Sequence, residues 1–247
     1  MKIGIIGCGA IGCFIALKLG DDIAWAVDRD PESAKRLPSP IQRAFFQSVP
    51  KDCGGVDLVV EAASQDAVPL LVKCLRHSDV MIMSVGALVE AGLVKSLSNA
   101  AKKYGHKIYL PSGAIGGLDA VSAVSENASE VVLETIKPPV SFGRADREKT
   151  MVFDGSAREA VALYPKNVNV SATLAIAGIG FDKTRVRIVS DPNVKRNTHR
   201  ITVKSDAGIM TFEFENLPFK ENPKTSMLAA MAALERIKRI EKTIQVG

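Results

Sequence analysis

Short apolar runs alternate with helical patterns along the first half of the chain. Lys2–Ile6 and Ile23–Val27 predict buried strands, with a helix at Ala10–Leu19 between them. Pro31 predicts the start of another helix, because a missing N–H group costs little in a first helical turn. The same alternation continues as strand, helix, strand, helix and strand through Val56–Val60, about Asp66–Leu75, Val80–Val85, Ala91–Tyr104 and Lys107–Leu110. Buried strands separated by helices predict an α/β fold with a doubly wound parallel sheet.

The pattern changes after Pro111. Apolar and polar residues alternate with a period of two in Thr184–Val189, His199–Lys204 and Ile209–Phe214, which predicts strands with one face exposed to water. The short polar link Ser205–Gly208 favours an antiparallel hairpin between the last two of these strands. We therefore expect a second, α+β domain with a largely antiparallel sheet. A final amphipathic pattern predicts a terminal helix, capped by Thr225 or Ser226, from about Thr225 to Glu241.

The composition is that of an ordinary globular protein. Of its residues, 47% are apolar and 24% are charged. The length of 247 residues is enough to bury one large core or two small ones. The net charge is +5, but without a surface of interleaved basic and aromatic residues it does not predict nucleic-acid binding. A basic chain does suit an anionic cofactor and an anionic substrate.

The four cysteines, at positions 8, 13, 53 and 74, form no CxxC pair, and no cluster with metal-ligand spacing accompanies them. We interpret them as small, buried side chains of a protein in a reducing compartment. The first residues predict a strand and not a signal peptide, and no apolar stretch is long enough to span a bilayer. The sequence therefore predicts a cytoplasmic protein that contacts no membrane and holds no metal.

A glycine-rich turn, Gly7-Cys8-Gly9-Ala10-Ile11-Gly12, joins the first predicted strand to the first predicted helix. Its first glycine permits a tight turn, its second permits close approach of a pyrophosphate, and its third permits close helix–strand packing. The pyrophosphate then lies against the free N–H groups of the helix N-terminus. Asp28 ends the next strand, where a carboxylate accepts hydrogen bonds from the adenosine ribose. This context predicts a Rossmann domain that binds NAD or NADP, and we assign cofactor binding to Gly7, Gly9, Ala10, Ile11, Gly12 and Asp28.

Arg29 leaves the choice of cofactor open, because a guanidinium beside Asp28 can tolerate the 2′-phosphate that the carboxylate disfavours. Small residues also follow two later strands, at Ala62-Ala63-Ser64-Gln65 and Ser84-Val85-Gly86-Ala87. Ligands of a parallel sheet lie beyond the carboxyl ends of its strands, although the same residues suit ordinary turns. We assign cofactor binding also to Arg29, Ala62, Ala63 and Ser84.

Two segments of the second half are candidates for binding an anionic substrate. Ser112-Gly113-Ala114-Ile115-Gly116-Gly117-Leu118-Asp119 contains three glycines and precedes a helical pattern, which indicates either close approach to a ligand or a flexible linker. In Glu221-Asn222-Pro223-Lys224-Thr225-Ser226, the lysine lies before a predicted helix N-terminus, as in an anion site or in a simple capped loop. We assign substrate binding to Ser112, Gly113 and Lys224.

His199 is the histidine that we assign to catalysis. His77 and His106 follow predicted helices and are interpreted as solvated, whereas His199 begins a predicted strand within Asn197-Thr198-His199-Arg200. Imidazole titrates near neutrality and can move protons during an amine–imine interconversion, although a structural role also fits such a position. We assign Asn197 to substrate binding.

Five segments of the chain together resemble the L-aspartate dehydrogenase family. The first is the glycine-rich turn, which many families share, and the four later segments are together far more specific. The later segments are Glu61-Ala62-Ala63-Ser64-Gln65, Ser112-Gly113-Ala114-Ile115-Gly116-Gly117-Leu118-Asp119, Pro165-Lys166-Asn167-Val168-Asn169-Val170-Ser171-Ala172-Thr173-Leu174 and Glu221-Asn222-Pro223-Lys224-Thr225-Ser226. The resemblance extends essentially from end to end.

The resemblance implies oxidative deamination of L-aspartate to iminoaspartate, then oxaloacetate and ammonia, with NAD or NADP taking the hydride. It also implies a supply of iminoaspartate for quinolinate and NAD biosynthesis. The active-site histidine of the family matches His199. Its nicotinamide-binding alanine matches Ala114, and its cofactor-binding asparagine matches Asn169.

The resemblance further implies a homodimer in which the C-terminal helix folds back onto the Rossmann domain. Together with the change of pattern after Pro111 and a boundary at Pro223, this gives a domain prediction. We expect residues 1–111 and 222–247 to form the dinucleotide-binding domain, and residues 112–221 to form the domain for catalysis and dimerisation.

Two other hypotheses compete with this interpretation. A reductase of the dihydrodipicolinate reductase type would have a similar layout, but the His-His pair with a following lysine that marks that family is absent here. A non-catalytic protein that senses the ratio of NADH to NAD would usually carry a DNA-binding module, and no basic helix-turn-helix pattern precedes the glycine motif. Turnover with L-aspartate distinguishes the enzyme from the sensor.

Overall fold

A computed structural model describes residues 1–164, 169–219, 222 and 225–244 of the protein. The chain divides into two compact units. The first unit comprises Met1–Pro111 and Ala230–Val246, and the second comprises Ser112–Ala229. The first change of unit therefore falls at the position where the periodicity of the apolar residues changes.

The first unit contains a six-stranded parallel sheet. Its strands are β1 (Ile3–Ile6), β2 (Ile23–Val27), β3 (Phe45–Phe46), β4 (Leu58–Glu61), β5 (Asp79–Ile82) and β6 (Ile108–Tyr109). They lie in the order β3-β2-β1-β4-β5-β6, and each neighbouring pair is parallel. The chain changes direction across the sheet between β1 and β4, which opens a crevice beyond the carboxyl ends of these strands. The predicted doubly wound Rossmann sheet is confirmed.

The first unit also contains helices of two kinds. The α-helices are α1 (Ala10–Leu19), α2 (Ser39–Gln42), α3 (Leu71–Cys74) and α4 (Ala91–Tyr104). The 3₁₀ helices are Gly20–Asp22, Pro31–Arg36, Lys51–Gly55, Gln65–Leu70 and Val85–Val89. The single helix predicted at about Asp66–Leu75 is wrong, because its first part is 3₁₀ and only its last turn is α-helical. Pro69 lies inside this segment, and its ring and missing N–H group disfavour a continuous α-helix.

The second unit contains a five-stranded mixed sheet. Its strands are β7 (Ala128–Lys137), β8 (Thr150–Ser156), β9 (Arg185–Ser190), β10 (Asn197–Ser205) and β11 (Gly208–Asn216). Their order is β11-β10-β7-β9-β8, in which β7 and β9 are parallel and the other pairs are antiparallel. The helices are α5 (Leu118–Ala123), α6 (Ala157–Leu163), α7 (Asn169–Ala177) and a 3₁₀ helix at Pro139–Phe142. The predicted largely antiparallel sheet is confirmed.

Five elements in the described part of the second unit were not predicted from the sequence, namely β7, β8, α6, α7 and the 3₁₀ helix at Pro139–Phe142. The reason is clearest for β7, the middle strand of the sheet. Val131, Val132 and Leu133 are consecutive and all buried, so the strand lacks the alternation that identifies a strand with one wet face.

The register of β7 and β10 gathers polar side chains on one face of the second sheet. His199 lies opposite Thr135 of β7 and opposite Phe214 of β11. Side chains two positions apart on a strand project from the same face. Lys137 of β7 and Asn197 of β10 therefore share a face with His199.

The chain ends with helix α8, Met227–Glu241. Ser226 pairs with Pro218 in an isolated β-bridge, and its buried hydroxyl has no hydrogen-bond partner among the described residues. The predicted cap at Ser226 is therefore wrong. Ala233 and Ile237 pack into the core of the first unit. In the ranges that the structure describes, no helix has the length and apolar character needed to cross a membrane.

Candidate functional site

The glycine-rich turn between β1 and α1 has the shape that a dinucleotide requires. Gly7 adopts φ +99°, and a Cβ atom there would lie 2.6 Å from backbone atoms of Ala62 and Ala63. A Cβ atom on Gly12 would clash with the carbonyl oxygen of Gly7, whereas a Cβ atom on Gly9 would enter open space. The outer glycines therefore permit close packing of the turn, and Gly9 leaves room for a ligand.

The N-terminus of α1 offers unsatisfied N–H groups to that space. Gly9 precedes the helix and provides no side-chain cap, and the first intrahelical hydrogen bond here runs from Cys13 N to Gly9 O over 2.9 Å. The N–H groups of Ala10, Ile11 and Gly12 belong to the first turn, which has no intrahelical acceptors. Such a terminus binds anions, so these three residues fit the cofactor role expected of them.

Asp28 follows β2 and is held by the backbone. Its Oδ2 atom accepts a hydrogen bond from Cys8 N over 2.8 Å, and its Oδ1 atom accepts one from Asp30 N over 3.0 Å. These bonds fix the carboxylate beside the glycine turn. Each carboxylate oxygen retains a second acceptor position, which is the arrangement required for binding ribose hydroxyls.

A cleft of about 800 Å³ lies at this edge of the first sheet. Its lining includes six residues predicted from the sequence, Gly7, Gly9, Asp28, Arg29, Ala62 and Ala63. Its charged lining residues are the cationic Arg29, Lys51, Lys73 and Arg76 and the acidic Asp28 and Asp52. The excess of cations favours an anionic ligand. Together with the uncapped helix and the open space at Gly9, the cleft fits a nicotinamide dinucleotide.

Ser84 does not take the position expected of it, because its polar atoms contact Glu61. The Ser84 hydroxyl donates to Glu61 Oε1 over 2.8 Å, and Ser84 N donates to Oε2 over 3.0 Å. Ala63 N donates to Glu61 Oε1 over 2.8 Å. Glu61 is 0% exposed, and burial raises its pKa against the opposing effect of these hydrogen bonds. Glu61 thus connects the loops after β4 and β5 through its hydrogen bonds with Ala63 and Ser84.

His199 is buried in the second unit, at 6% exposure. Its Nδ1 atom lies 3.0 Å from the Thr135 hydroxyl oxygen. Burial, together with the positive charge of Lys137, lowers the pKa of His199 to about 3. The expectation that this imidazole titrates near neutrality is therefore wrong, because the sequence around it does not reveal its desolvation. His199 is a neutral hydrogen-bonding group at physiological pH.

Lys137 is a candidate functional residue that the sequence analysis missed. It ends β7 on the face that carries His199, and it is 8% exposed. Burial lowers its pKa to about 8, and its ammonium nitrogen lies 5.9 Å from the centre of the Phe142 ring. The sequence did place Lys137 at the end of an apolar run. Because β7 was not predicted, Lys137 could not be placed on the same face as His199.

The segment after Pro111 is ordered by contacts within the second unit. Ala114 is buried, and its carbonyl oxygen accepts a hydrogen bond from Asn216 Nδ2 over 2.9 Å. Asn216 lies opposite Asn197 in the register of β10 and β11. Ser112 and Gly113 come directly before this anchored residue, so the structure favours a held segment over a flexible linker.

The other residues singled out from the sequence lie in different parts of the chain. Asn169 is the first residue of α7, and its carbonyl oxygen accepts a hydrogen bond from the Thr173 hydroxyl over 2.8 Å. Lys224 lies outside the described residues. His106 Nδ1 is 3.1 Å from Asp79 Oδ1, and the exposed His77 contacts Asp52. Within the described part of the chain, no three His, Cys, Asp or Glu residues are grouped as a metal site.

Two family profiles match the chain, one for each half. The profile described as "Homoserine dehydrogenase, NAD binding domain" matches residues 7–111. The profile described as "Aspartate dehydrogenase, C-terminal" matches residues 119–240. The first match contains the glycine turn and the cleft, and the second contains His199 and Lys137.

Proteins of known identity match the chain over its full length. The L-aspartate dehydrogenases of Methanocaldococcus jannaschii and Methanococcoides burtonii are 42% and 41% identical to it, and each alignment covers 100% of this chain and 99% of the relative. The crystal structure of aspartate dehydrogenase from Thermotoga maritima superposes with a TM-score of 0.85 at 33% identity, covering 100% of this chain and 99% of that one. The chain therefore belongs to the L-aspartate dehydrogenase family.

Proposed function

We propose that this protein is an NAD(P)-dependent L-aspartate dehydrogenase. It oxidises the Cα–N bond of L-aspartate to the imine of iminoaspartate, and water then converts the imine to oxaloacetate and ammonia. The observation that carries the proposal is the full-length similarity to L-aspartate dehydrogenases. The cleft in the first unit supports it independently, because its shape and charge fit the dinucleotide that such a reaction needs.

The first unit binds and orients the cofactor in this proposal. The N–H groups at the start of α1 hold the pyrophosphate, and Asp28 accepts hydrogen bonds from the adenosine ribose. Arg29 lies in the same cleft and provides a cation for a 2′-phosphate. When bound, the oxidised nicotinamide accepts the hydride that leaves Cα of the substrate.

Lys137 accepts the substrate proton in this proposal. Before hydride can leave Cα, the ammonium group of aspartate must lose a proton so that its nitrogen lone pair can form the C=N bond. Burial lowers the pKa of Lys137 to about 8, so near that pH about half of this amine is free to accept the proton. Its new positive charge then pairs with the substrate carboxylates.

His199 serves as a neutral partner in the same steps. With a pKa of about 3, its imidazole does not hold a proton at neutral pH, but it can orient the amino group and later the attacking water. Thr135, 3.0 Å from Nδ1, fixes the plane of the ring. The roles proposed for Ala114 at the nicotinamide and for Asn169 at the cofactor follow the family. The substrate-binding roles proposed for Ser112, Gly113, Asn197 and Lys224 rest on the sequence pattern of this chain.

Three further properties are proposed with the activity. The protein forms a homodimer, works in the cytoplasm, and supplies iminoaspartate to quinolinate and NAD biosynthesis. The free thiols of Cys8, Cys13, Cys53 and Cys74 support a reducing compartment. Light scattering during size-exclusion chromatography tests the dimer, and a mass of one chain at micromolar concentration would refute it.

The activity is tested by following reduced nicotinamide absorbance with purified protein. L-aspartate should reduce NAD or NADP, and ammonia with oxaloacetate should drive the reverse reaction. D-aspartate tests the stereospecificity of the reaction, and L-glutamate tests which side-chain length is accepted. L-malate tests whether a CH–OH group is oxidised instead. Dinucleotide binding without reduction by L-aspartate would refute the proposal and support a sensor.

A further inference from the structure

Two cysteine side chains lie side by side at the wall of the dinucleotide cleft. Cys53 belongs to the 3₁₀ segment Lys51–Gly55, and Cys74 ends α3. Both residues line the cleft, although their exposed fractions are only 4% and 1%. The two elements come from different parts of the chain, so the sulfur atoms connect two separate portions of the cleft wall.

The two thiols are hydrogen-bonded to each other, with the Cys74 thiol donating to the Cys53 sulfur. This bond lowers the pKa of Cys53 against the opposing effect of burial, and the same contact and burial raise the pKa of Cys74. Cys53 is therefore the more readily ionised of the two thiols, and it is the one that we expect to attack a peroxide first.

The other two cysteines differ in both contact and chemistry. The Cys13 thiol donates to the Cys8 carbonyl oxygen over 3.1 Å, and the Cys8 thiol donates to the Val27 carbonyl oxygen over 3.7 Å. Burial raises the pKa of both. The adjacent thiols at the cleft are therefore a distinct pair and not a general property of the cysteines in this chain.

The backbone around Cys53 is held in an unfavourable conformation. Asp52 and Cys53 adopt φ +50° and +51°, a left-handed region that residues other than glycine rarely enter. Trp25 Nε1 donates to the Cys53 carbonyl oxygen over 2.9 Å. His77 Nε2 lies 3.5 Å from Asp52 Oδ1, which is a contact between the Lys51–Gly55 segment and the turn that follows α3. Strained backbone that is held by such contacts often marks a functional segment.

We propose that Cys53 and Cys74 form a reversible disulfide when the protein meets a peroxide, and that this bond and dinucleotide binding oppose each other. The Cys53 thiolate attacks one peroxide oxygen, the O–O bond breaks, and the sulfur becomes a sulfenic acid while hydroxide leaves. Cys74 then attacks that sulfur, the S–S bond forms, and water leaves. Both thiols are oxidised by one electron each, and one hydrogen peroxide is reduced to two water molecules.

The coupling to the cofactor follows from where the bond forms. An S–S bond is about 2.05 Å long, which is shorter than any thiol–thiol hydrogen bond, so oxidation must draw the Lys51–Gly55 segment and α3 together. Both elements contribute to the cleft wall, and a change in their separation changes the shape offered to the dinucleotide. By linkage, a bound dinucleotide must oppose formation of the disulfide to the same extent.

The experiment measures thiols and dinucleotide affinity on the same preparation of the full chain. Reduced protein is treated with hydrogen peroxide in the presence or absence of saturating NADH, then denatured and titrated for free thiols. Without NADH, the four thiols should fall to two, and peptide mass spectrometry should find the link between Cys53 and Cys74. With NADH the loss should be slower, and dithiothreitol should restore all four thiols.

Affinity is read from NADH fluorescence before oxidation, after oxidation and after reduction. The oxidised protein should bind NADH at least about fivefold more weakly, and reduction should reverse the loss. Cys53→Ser and Cys74→Ser should abolish the effect, whereas the matched variant Cys13→Ser should retain it. Cys53→Ala replaces Cys53→Ser if circular dichroism shows that the latter is unfolded.

Two results would overturn the proposal. One is retention of four thiols, or a link between other cysteines, under peroxide that oxidises a free dithiol control. The other is a Cys53–Cys74 disulfide that leaves NADH affinity unchanged. Thiol titration needs neither dinucleotide binding nor turnover of aspartate, so a failure of the proposed enzymatic function is distinguishable from a failure of the disulfide.

Discussion

At the scale of single residues, burial determines which protonation state each polar group adopts. His199 and Lys137 share one face of the second sheet, and burial lowers the pKa of each. The result is a neutral imidazole beside an amine that titrates near pH 8. Flanking residues such as Asn197 and Arg200 are polar and gave no indication of this burial, so neither protonation state was predictable from the sequence.

The buried neutral state of His199 predicts a pH window for stability. Its folded pKa of about 3 lies below the ordinary histidine value of 6.5, so the unfolded chain binds more protons between these values. Stability therefore rises with pH across this window and is lost as pH falls through it. His199→Ala should show a shallower fall in unfolding free energy from pH 7 to pH 4.5 than the wild type.

The same variant separates catalysis from structure. His199→Ala should fold and bind NADH, but its kcat should fall about 10²-fold if the ring orients the reacting groups. Urea unfolding and steady-state kinetics on one preparation test both effects, with His77→Gln as the exposed control. A destabilised variant with unchanged kcat would leave His199 with a structural role only.

The pKa of Lys137 predicts the acidic limb of the pH profile, because the proposed base is protonated at pH values below its pKa. If its free amine accepts the substrate proton, log kcat/KM should rise with pH and level off above about 8. Lys137→Met should remove this limb and lower kcat about 10²–10⁴-fold. Lys137→Arg keeps the charge but cannot act as a base, so full activity in that variant would contradict the assignment.

The position of Asp28 leads to a prediction of the preference between NAD and NADP. Asp28→Ala removes the carboxylate beside the ribose, so NAD binding should weaken by about 1.5–3 kcal/mol. NADP binding should weaken less, because a 2′-phosphate also loses a repulsive neighbour. Calorimetric titration of both cofactors tests this, with Asp30→Asn as a neighbouring control. Equal losses for the two cofactors would remove Asp28 from this role.

At the scale of elements, the turn between β1 and α1 must pack closely and must also leave room for the dinucleotide. Two glycine variants can separate these requirements. Gly12→Ala should lower the melting temperature and weaken NADH binding, because its Cβ atom would clash with the Gly7 carbonyl oxygen. Gly9→Ala should leave the melting temperature nearly unchanged but weaken NADH binding, because its Cβ atom would enter the open space. Equal melting temperatures for the two variants would contradict this account of the turn.

The secondary structure of the first unit was predictable because the sequence patterns that indicate its helices and strands are local. Helices α1 and α4 and strand β2 have the predicted bounds, since each is a buried or amphipathic segment bounded by turn residues. The mixed strand β7 was not predictable in the same way. Its pairing with β9 and β10 depends on residues far along the chain, and its polar Thr135 and Lys137 interrupt an otherwise apolar run. Of the two residues proposed to act on the substrate, the sequence therefore indicated only His199.

At the scale of the whole molecule, the proposed reaction divides its requirements between the two units. The first supplies the cleft and the helix N-terminus for the dinucleotide. The second supplies Lys137 to accept the substrate proton and His199 to orient the reacting groups. Each profile match covers one of these contributions. Neither unit alone carries the residues that the proposed reaction needs, so the activity is a property of the complete chain.

The central claim is that hydride passes from Cα of L-aspartate to a nicotinamide bound by this protein. The direct measurement uses L-aspartate deuterated at Cα, with the reduced nicotinamide analysed by mass spectrometry and proton NMR. The account predicts one deuterium at C4 of the nicotinamide, on a single face of the ring, and none when the label is placed at Cβ. Reduced nicotinamide without deuterium, or no reduction at all, would contradict it.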